Sequence, residues 1–263
     1  MKQAVISFSG GMDSSALLID FLSSGYKVHC ITFKYNQKHV IEVDRAKSNI
    51  RYLGKNGFSD NLIHKVISLE DVFSKFNSSL IDESQFIPKG YYEEESMMST
   101  FVPNRNAIFS SIIYGYSLSL ASKIKEKVLL GLGVHAGDHS IYPDCRPDFY
   151  ELLESAFAKG NWGSELLSFY LPFIDDEKHS ILKKTIIKLN ALGLDYKAFY
   201  RNTITSYSPD LYGKSDGTSG ADVERILSFN KLGLIDPIEY TKTWQTVLKR
   251  ALTVESEFKE KSL

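Results

Sequence analysis

The chain has 263 residues, 43% of them hydrophobic, which is enough for one large domain with a substantial core. Its 31 basic and 32 acidic residues nearly cancel to a net charge of -1, so composition gives no electrostatic basis for binding nucleic acid or an acidic membrane surface. Two cysteines provide no disulfide framework and indicate a cytoplasmic protein. Neither a signal peptide nor an apolar run of membrane-spanning length is expected.

The first predicted strand, turn and helix form the most informative stretch of the chain. An apolar run at residues 4–8 predicts a buried strand, and the apolar pattern of residues 15–22 predicts a helix. Between them lies the turn SGGMDS, residues 9–14. A glycine turn that leads into a helix N-terminus places backbone N–H groups close to an anion. The predicted phosphate donors of this turn are Ser9, Gly10, Gly11 and Ser14.

Asp13 is an unusual residue for a phosphate site, because a bare carboxylate repels phosphate. Its presence is explained if Mg²⁺ lies between the carboxylate and a polyphosphate. Asp13 is therefore the candidate Mg²⁺ ligand of the chain.

The later apolar patterns alternate in the order expected of a parallel α/β sheet. Strands are predicted at residues 27–33, 62–69 and 127–134, and helices at 37–53, 105–123 and 223–234, with a helical stripe near 244–252. Residues 82–100 break the pattern and are interpreted as a loop, either solvated or folded over the site. In doubly wound sheets, ligands bind beyond the carboxyl ends of the strands, where residues 9–14 must lie.

A polar loop after the last of these strands, residues 135–146, has two interpretations. It could hold zinc or iron through His135, His139, Asp138 and Asp144. The two histidines, however, are four residues apart on a loop, where that spacing does not put them on one face. Residues that contact a substrate are therefore the favoured interpretation.

The motifs resemble those of a known family. The hexapeptide resembles the signature of the PP-loop ATP pyrophosphatases. Four further segments resemble the 7-cyano-7-deazaguanine synthase family, in the family's order across roughly residues 1–200: YNQKH at 35–39, VPNRN at 102–106, YPDCRP at 142–147, and PFID with a later lysine at 172–178.

The resemblance implies an α/β, doubly wound parallel sheet of PP-loop type with a helical C-terminal portion. A PP-loop ATP pyrophosphatase domain would span residues 1–200, and the helical portion 201–263. The implied activity uses ATP and Mg²⁺ to adenylate the carboxylate of 7-carboxy-7-deazaguanine. Ammonia then displaces AMP to give an amide, and a second adenylation dehydrates the amide to 7-cyano-7-deazaguanine.

The matching motifs also imply roles for individual residues. Catalysis is assigned to Asp13, Arg105 and Lys178, with the two cations on phosphates. The nucleotide site adds Phe33 to the residues of the turn. The implied substrate contacts are Gln37, His39, Asn106, His135, Asp138, Tyr142, Asp144 and Arg146, of which Asp144 and Arg146 are assigned to the base and its carboxylate.

The chain departs from the family's pattern at several positions. Asn36 replaces a glycine, and Gly137 replaces a glutamate. The family carries a four-cysteine zinc site in its C-terminal third, but this chain has no cysteine after Cys145, so zinc is predicted to be absent. The composition of residues 206–222, which stand in its place, predicts a mobile loop.

Three functions remain open from the sequence. The first is the synthase with ammonia as amine donor, and the second is a related enzyme that conjugates the deazaguanine to a protein amine in bacterial antiviral defence. The third is a non-catalytic nucleotide-binding scaffold. A tRNA-thiolating relative is disfavoured, because the chain lacks a basic surface and a catalytic cysteine pair. A homodimer is compatible with the sequence, which does not determine the oligomeric state.

Overall fold

The computed structural model describes residues 1–38, 40–82, 84–93, 95–139 and 141–261. In these ranges five strands form one sheet in the order β3-β2-β1-β4-β5, and every neighbouring pair is parallel. The strands are β1 (Gln3–Ser7), β2 (Lys27–Lys34), β3 (Leu62–Ser68), β4 (Val128–Gly131) and β5 (Leu167–Tyr170).

The strand order places a topological switch point next to β1. The chain moves outward from β1 through β2 to β3, and then returns to the other side of β1 for β4 and β5. Crevices form at such a point beyond the carboxyl ends of the strands, which makes it the expected ligand site. The predicted doubly wound parallel sheet is confirmed.

Helices cover both faces of the sheet. They are α1 (Met12–Ser23), α2 (Glu42–Leu53), α3 (Glu70–Phe73), α4 (Arg105–Ile124), α5 (Pro147–Gly160), α6 (Lys178–Ala191), α7 (Tyr196–Arg201), α8 (Gly220–Lys231) and α9 (Trp244–Lys261). Val5 of β1 packs into the apolar cluster that includes α4 and α5, whereas Ala4 and Ile6 pack into the one that includes α1, α2 and α6. This alternation follows from the two-residue period of a strand, and all three side chains are fully buried. Over the described ranges, none of the helices combines the length and apolarity that a membrane crossing needs.

Several predicted elements differ in their bounds, and the strand β5 and the helices α3, α5, α6 and α7 were not predicted. The predicted helix 37–53 begins only at Glu42, because the buried side chain of Gln37 bonds to the backbone of Tyr35 and Phe33 and forms a turn instead. The fourth strand ends at Gly131 rather than at residue 134. The edge strand β5 was not predicted, since four residues carry too little periodicity.

The segment predicted to be a mobile loop, residues 206–222, surrounds a buried carboxylate. Asp222 is fully buried and accepts hydrogen bonds from the hydroxyls of Ser206, Ser215 and Ser219, at 2.6 to 3.0 Å. Ser219 and Asp222 also form a capping box at the start of α8. The mobility of the segment stays a prediction, as does the division of the chain at residue 200.

A buried ion pair connects α8 to the segments on either side of it. Arg225 donates from Nε to Asp236 Oδ2 at 2.6 Å and from Nη2 to Asp236 Oδ1 at 2.9 Å. Its remaining nitrogen donates to the hydroxyls of Thr203 and Thr205. Because both charged side chains are fully buried, each depends on the other for compensation.

Replacement of Asp236 by alanine should therefore destabilise the fold by about 3–5 kcal/mol, because it leaves a buried guanidinium without its partner. Urea-induced unfolding measures the change. Lys259→Ala is the matched control, since its pair with Glu255 leaves Lys259 65% exposed and should contribute less than about 0.5 kcal/mol. Equal effects of the two variants would contradict the prediction.

Candidate active site

The turn after β1 depends on a glycine that no other residue can replace without strain. Gly10 has φ of 87°, and a Cβ at this position would lie 2.6 Å from the carbonyl oxygen of Glu42 and 2.7 Å from the backbone nitrogen of Ala46. The turn is thus pressed against α2. On its other side, the carbonyl oxygen of Gly10 accepts a hydrogen bond from the backbone N–H of Ile204.

The start of α1 leaves its backbone N–H groups available to a ligand. Gly11 is the N-cap and has no side chain to satisfy the first N–H groups of the helix. The hydroxyls of Ser9 and Ser14 lie 3.0 Å apart beside this helix end. Backbone donors, hydroxyls and the positive end of the helix dipole together suit a phosphate group.

A cleft of about 1100 Å³, open to solvent, lies beyond the carboxyl ends of β1 and β4. It is bordered by most of the residues that the motifs assigned to the site. These are Ser9, Gly11, Asp13, Ser14, Phe33, Arg105, Asn106, Asp138, Tyr142 and Lys178. Residues more than 160 positions apart in the chain therefore share one cleft at the carboxyl edge of the sheet.

Five assigned residues do not border the cleft. One of them is Gly10, which packs against α2 rather than toward the cleft. Gln37 is buried in the turn after β2, and His135 is only 1% exposed, with Nδ1 accepting from the backbone N–H of Gly137. Asp144 accepts a hydrogen bond from the backbone N–H of Asn106 at the start of α4. Arg146 is exposed and donates to the carbonyl oxygen of His139.

One assigned residue, His39, lies outside the described residues. The substrate contacts assigned by the motifs, His39 among them, stay predictions.

Lys178 is the cation closest to the turn. It is the first residue of α6 and is 5% exposed, with Nζ 2.5 Å from Glu224 Oε2 and 3.4 Å from Asp13 Oδ2. Burial by itself disfavours the charged ammonium, but Asp13, Glu224 and Asp138 outweigh it and hold the pKa of Lys178 well above its ordinary value. Lys178 is therefore a fixed positive charge at the cleft.

Asp13 has one oxygen that the described residues leave without a hydrogen-bond partner. Oδ2 faces Lys178, whereas Oδ1 is buried and unpaired. Within the described ranges, no three His, Cys, Asp or Glu side chains are grouped so that they could hold a metal by themselves. A metal ion at Asp13 would thus need oxygen ligands from a bound polyphosphate, which is the usual arrangement for Mg²⁺.

Asp138 forms the wall of the cleft next to Lys178. Its Oδ1 accepts a hydrogen bond from Tyr92 at 2.8 Å, and its Oδ2 lies 3.6 Å from His135 Nε2. Burial would raise the pKa of Asp138, but His135, Lys178 and the Tyr92 hydroxyl outweigh it and hold that pKa below its ordinary value. Asp138 is consequently a second fixed negative charge beside Lys178.

Another part of the cleft wall comes from the start of α4 and is rich in aromatic rings. Arg105 and Asn106 open this helix, and the ring of Phe109 stacks on Phe33 with 4.1 Å between centroids. Tyr142 shares a 2.5 Å hydrogen bond with Thr100. A planar, partly polar ligand would find stacking surfaces and hydrogen-bonding groups on this side.

Several residues at the site were not singled out from the sequence: Tyr92, Phe109, Tyr207 and Glu224. Tyr92 belongs to the segment 82–100 that was interpreted as a loop or a flap, and it reaches Asp138. Tyr207 and Glu224 come from the C-terminal portion, for which the sequence analysis considered only the missing cysteines of the zinc site. A tyrosine or glutamate outside a recognisable motif carries no sequence signal that marks it as a site residue.

The fold and the site define a nucleotide-binding α/β protein of PP-loop type. The family model of queuosine biosynthesis protein QueC matches residues 3–233. The chain is 37% identical over 238 residues to a 7-cyano-7-deazaguanine synthase from Methanoregula boonei, covering 90% of this chain and 99% of the relative. It is 38% identical over 243 residues to a synthase of the same name from Psychromonas ingrahamii, covering 92% and 99%.

The chain therefore belongs to the QueC family, which confirms the resemblance and implies that it uses ATP. The structure of an NMN synthetase from Francisella tularensis matches with a TM-score of 0.41 and 15% identity, covering 97% of this chain and 84% of that one. The family assignment does not depend on this weaker likeness.

Replacement of Gly10 by alanine should abolish nucleotide binding, because it combines a positive φ with a contact into the backbone of α2. Isothermal titration with a non-hydrolysable ATP analogue measures the loss. Gly25→Ala is the matched control: its φ is 75°, but no atom lies within 4 Å of the added Cβ, so it should cost only about 1–2 kcal/mol of stability. An affinity of Gly10→Ala within about threefold of the wild type would contradict this account of the turn.

Proposed function

We propose that the chain is an ATP-dependent enzyme that adenylates the carboxylate of 7-carboxy-7-deazaguanine. A carboxylate oxygen attacks the α-phosphorus, pyrophosphate leaves, and an acyl adenylate forms. Ammonia then attacks the acyl carbon, AMP leaves, and a proton is lost to give the amide. A second adenylation, now on the amide oxygen, releases another pyrophosphate, and the loss of AMP and a proton gives the nitrile.

The observation that carries this proposal is that two cations, Lys178 and Arg105, border one cleft. Lys178 lies beside the phosphate-type turn, and Arg105 lies at the wall with the aromatic rings. Adenylation brings a carboxylate against a negatively charged phosphate, so their repulsion must be offset by positive charge. A cleft bordered by two cations fits an acid joined to an adenine nucleotide.

The other residues of the cleft have roles that follow from their contacts. The N–H groups at the start of α1, with Ser9 and Ser14, would bind the phosphate oxygens. Asn106 and Tyr142 would orient the deazaguanine by hydrogen bonds while the ring stacks against the aromatic wall.

The residues at the turn fit Mg²⁺, and those of the C-terminal portion do not fit zinc. Asp13, with its unpaired Oδ1, would hold the Mg²⁺, which would supply positive charge to the polyphosphate when bound. Around Asp222 the neighbouring groups are serine hydroxyls, which are not the thiolates or imidazoles that structural zinc requires.

Metal analysis of the purified protein should accordingly find far less than one zinc per chain. Treatment with a chelator should stop pyrophosphate release, and Mg²⁺ alone should restore it, because only the polyphosphate site uses a metal. The melting temperature should stay unchanged throughout. Unfolding by the chelator, or recovery that requires zinc, would contradict the assignment.

The second candidate function transfers the acyl group to a protein amine, as considered for antiviral defence. A second cavity favours it, because this cavity shares Lys178 and Tyr92 with the cleft. Four glutamates border it: Glu93, Glu177, Glu224 and Glu255. Lys178 and Lys231 also border this cavity, so its lining has an excess of carboxylates over lysines, which suits the approach of a cationic amine larger than ammonia. The amide formed in this way carries a substituent and cannot be dehydrated to a nitrile.

Mass analysis of the products tests the proposal. The protein is incubated with ATP, Mg²⁺, 7-carboxy-7-deazaguanine and ammonia, and we expect the nitrile together with AMP and pyrophosphate. An unsubstituted amide as the end product would favour the conjugating enzyme. Unchanged acid without pyrophosphate would defeat both and favour a non-catalytic nucleotide-binding scaffold.

The same assay should separate two lysines of α6. Lys178→Met should lower the rate of pyrophosphate release by about 10²–10³-fold, because it removes the buried cation from the phosphates. Lys184→Met is the matched control, since Lys184 is 53% exposed on the same helix and pairs with Asp176. Its rate should stay within about twofold of the wild type.

A further inference from the structure

Glu224 makes the shortest ionic contact to Lys178 among the described residues. Its Oε2 lies 2.5 Å from Lys178 Nζ, compared with 3.4 Å for Asp13 Oδ2. The two side chains are only 18% and 4% exposed. Since the two residues lie 46 positions apart, this contact joins α8 directly to the site.

The carboxylate of Glu224 occupies space that Gly137 leaves empty. A Cβ at position 137 would lie 2.7 Å from Glu224 Oε1 and 2.9 Å from His135 Cε1. Contacts this short are essentially absent from real structures, so a side chain at position 137 would displace the Glu224 carboxylate or the His135 ring. Gly137 and Glu224 are thus complementary: one leaves the space that the carboxylate of the other fills.

Helix α8 holds Glu224 rigidly. The residues on either side of it in the helix include Asp222 and Arg225, and both are fully buried and hydrogen-bonded. Lysine, by contrast, has a long flexible side chain, whose ammonium needs partners to stay in one place. The other contacts of the Lys178 ammonium are longer, with Asp13 Oδ2 at 3.4 Å and the centroid of the Tyr92 ring at 5.7 Å.

We propose that Glu224 is a positioning residue that fixes the ammonium of Lys178 for the adenylation step. Its carboxylate reaches Lys178 from α8, through space that the absence of a side chain at Gly137 leaves open. This inference rests on the proposed function of Lys178. It assigns the C-terminal portion a direct part in the reaction. A lysine held in place beforehand needs no ordering in the transition state, so the effect should fall on kcat more than on KM.

Steady-state kinetics of pyrophosphate release, with ATP and 7-carboxy-7-deazaguanine, test the proposal. Glu224→Ala should lower kcat by at least about tenfold and change the KM for ATP by less than about threefold. Glu224→Gln keeps the shape of the side chain and should fall between the wild type and Glu224→Ala. The control is Glu239→Ala, which removes a carboxylate that is 73% exposed, pairs with Lys214 and borders neither cavity, and should leave kcat unchanged.

Moving the carboxylate from position 224 to position 137 distinguishes a positioning role of Glu224 from a role in supporting the fold. Gly137→Asp and Gly137→Glu are each combined with Glu224→Ala, so that position 137 supplies the lost group. An aspartate has its carboxylate oxygens two bonds from Cβ, which matches the separation of 2.7 Å between that Cβ and Glu224 Oε1. We expect at least one pair to recover kcat to within about threefold of the wild type. Gly137→Asp alone should be impaired by the contact with Glu224.

The proposal is overturned if Glu224→Ala keeps the wild-type kcat, or if neither pair exceeds Glu224→Ala while all variants melt near the wild-type temperature. A wild-type protein that releases no pyrophosphate would defeat the proposed function instead. Crystal structures then decide the positioning role independently of turnover. Lys178 Nζ should move in Glu224→Ala and return in the pairs, and an unmoved Nζ would overturn the inference.

Discussion

The buried charge of Lys178 is the interaction on which the rest of the site depends. Its ammonium is surrounded by carboxylates from three parts of the chain: the turn after β1, the loop after β4 and helix α8. A buried lysine without such partners would lose its proton or be expelled to solvent. Each carboxylate, in turn, would be costly to bury without the lysine. The three segments are therefore held together by one charge.

A network of hydrogen bonds holds the C-terminal portion together. Asp222 gathers the serine hydroxyls around it, and Arg225 with Asp236 fixes the same helix from its other side. This network also sets the wall of the cleft, because Ile204, Thr205 and Tyr207 border it. The portion thus acts on the nucleotide site as well as on its own stability.

The predictable part of the fold and site lay in short, local patterns. The run at residues 4–8 and the glycines after it predicted the strand, the turn and the helix, since period and turn chemistry act over a few residues. The segments at 102–106 and 142–147 pointed to one cleft because both match a family pattern. The period of the apolar residues predicted the wrong start for α2, because the hydrogen bond between the Gln37 side chain and the backbone of Tyr35 forms a turn where the helix was expected.

The sequence by itself determined the parallel sheet, the phosphate-type turn with Asp13, and the family. Only the tertiary structure decided which side chains meet. It placed Asp144 on a backbone N–H of α4 and buried His135 behind the cleft, although both belong to a motif-rich loop. It also brought Glu224 onto Lys178 through the gap at Gly137. These contacts join residues that are far apart in the chain, and packing rather than local spacing sets their distances.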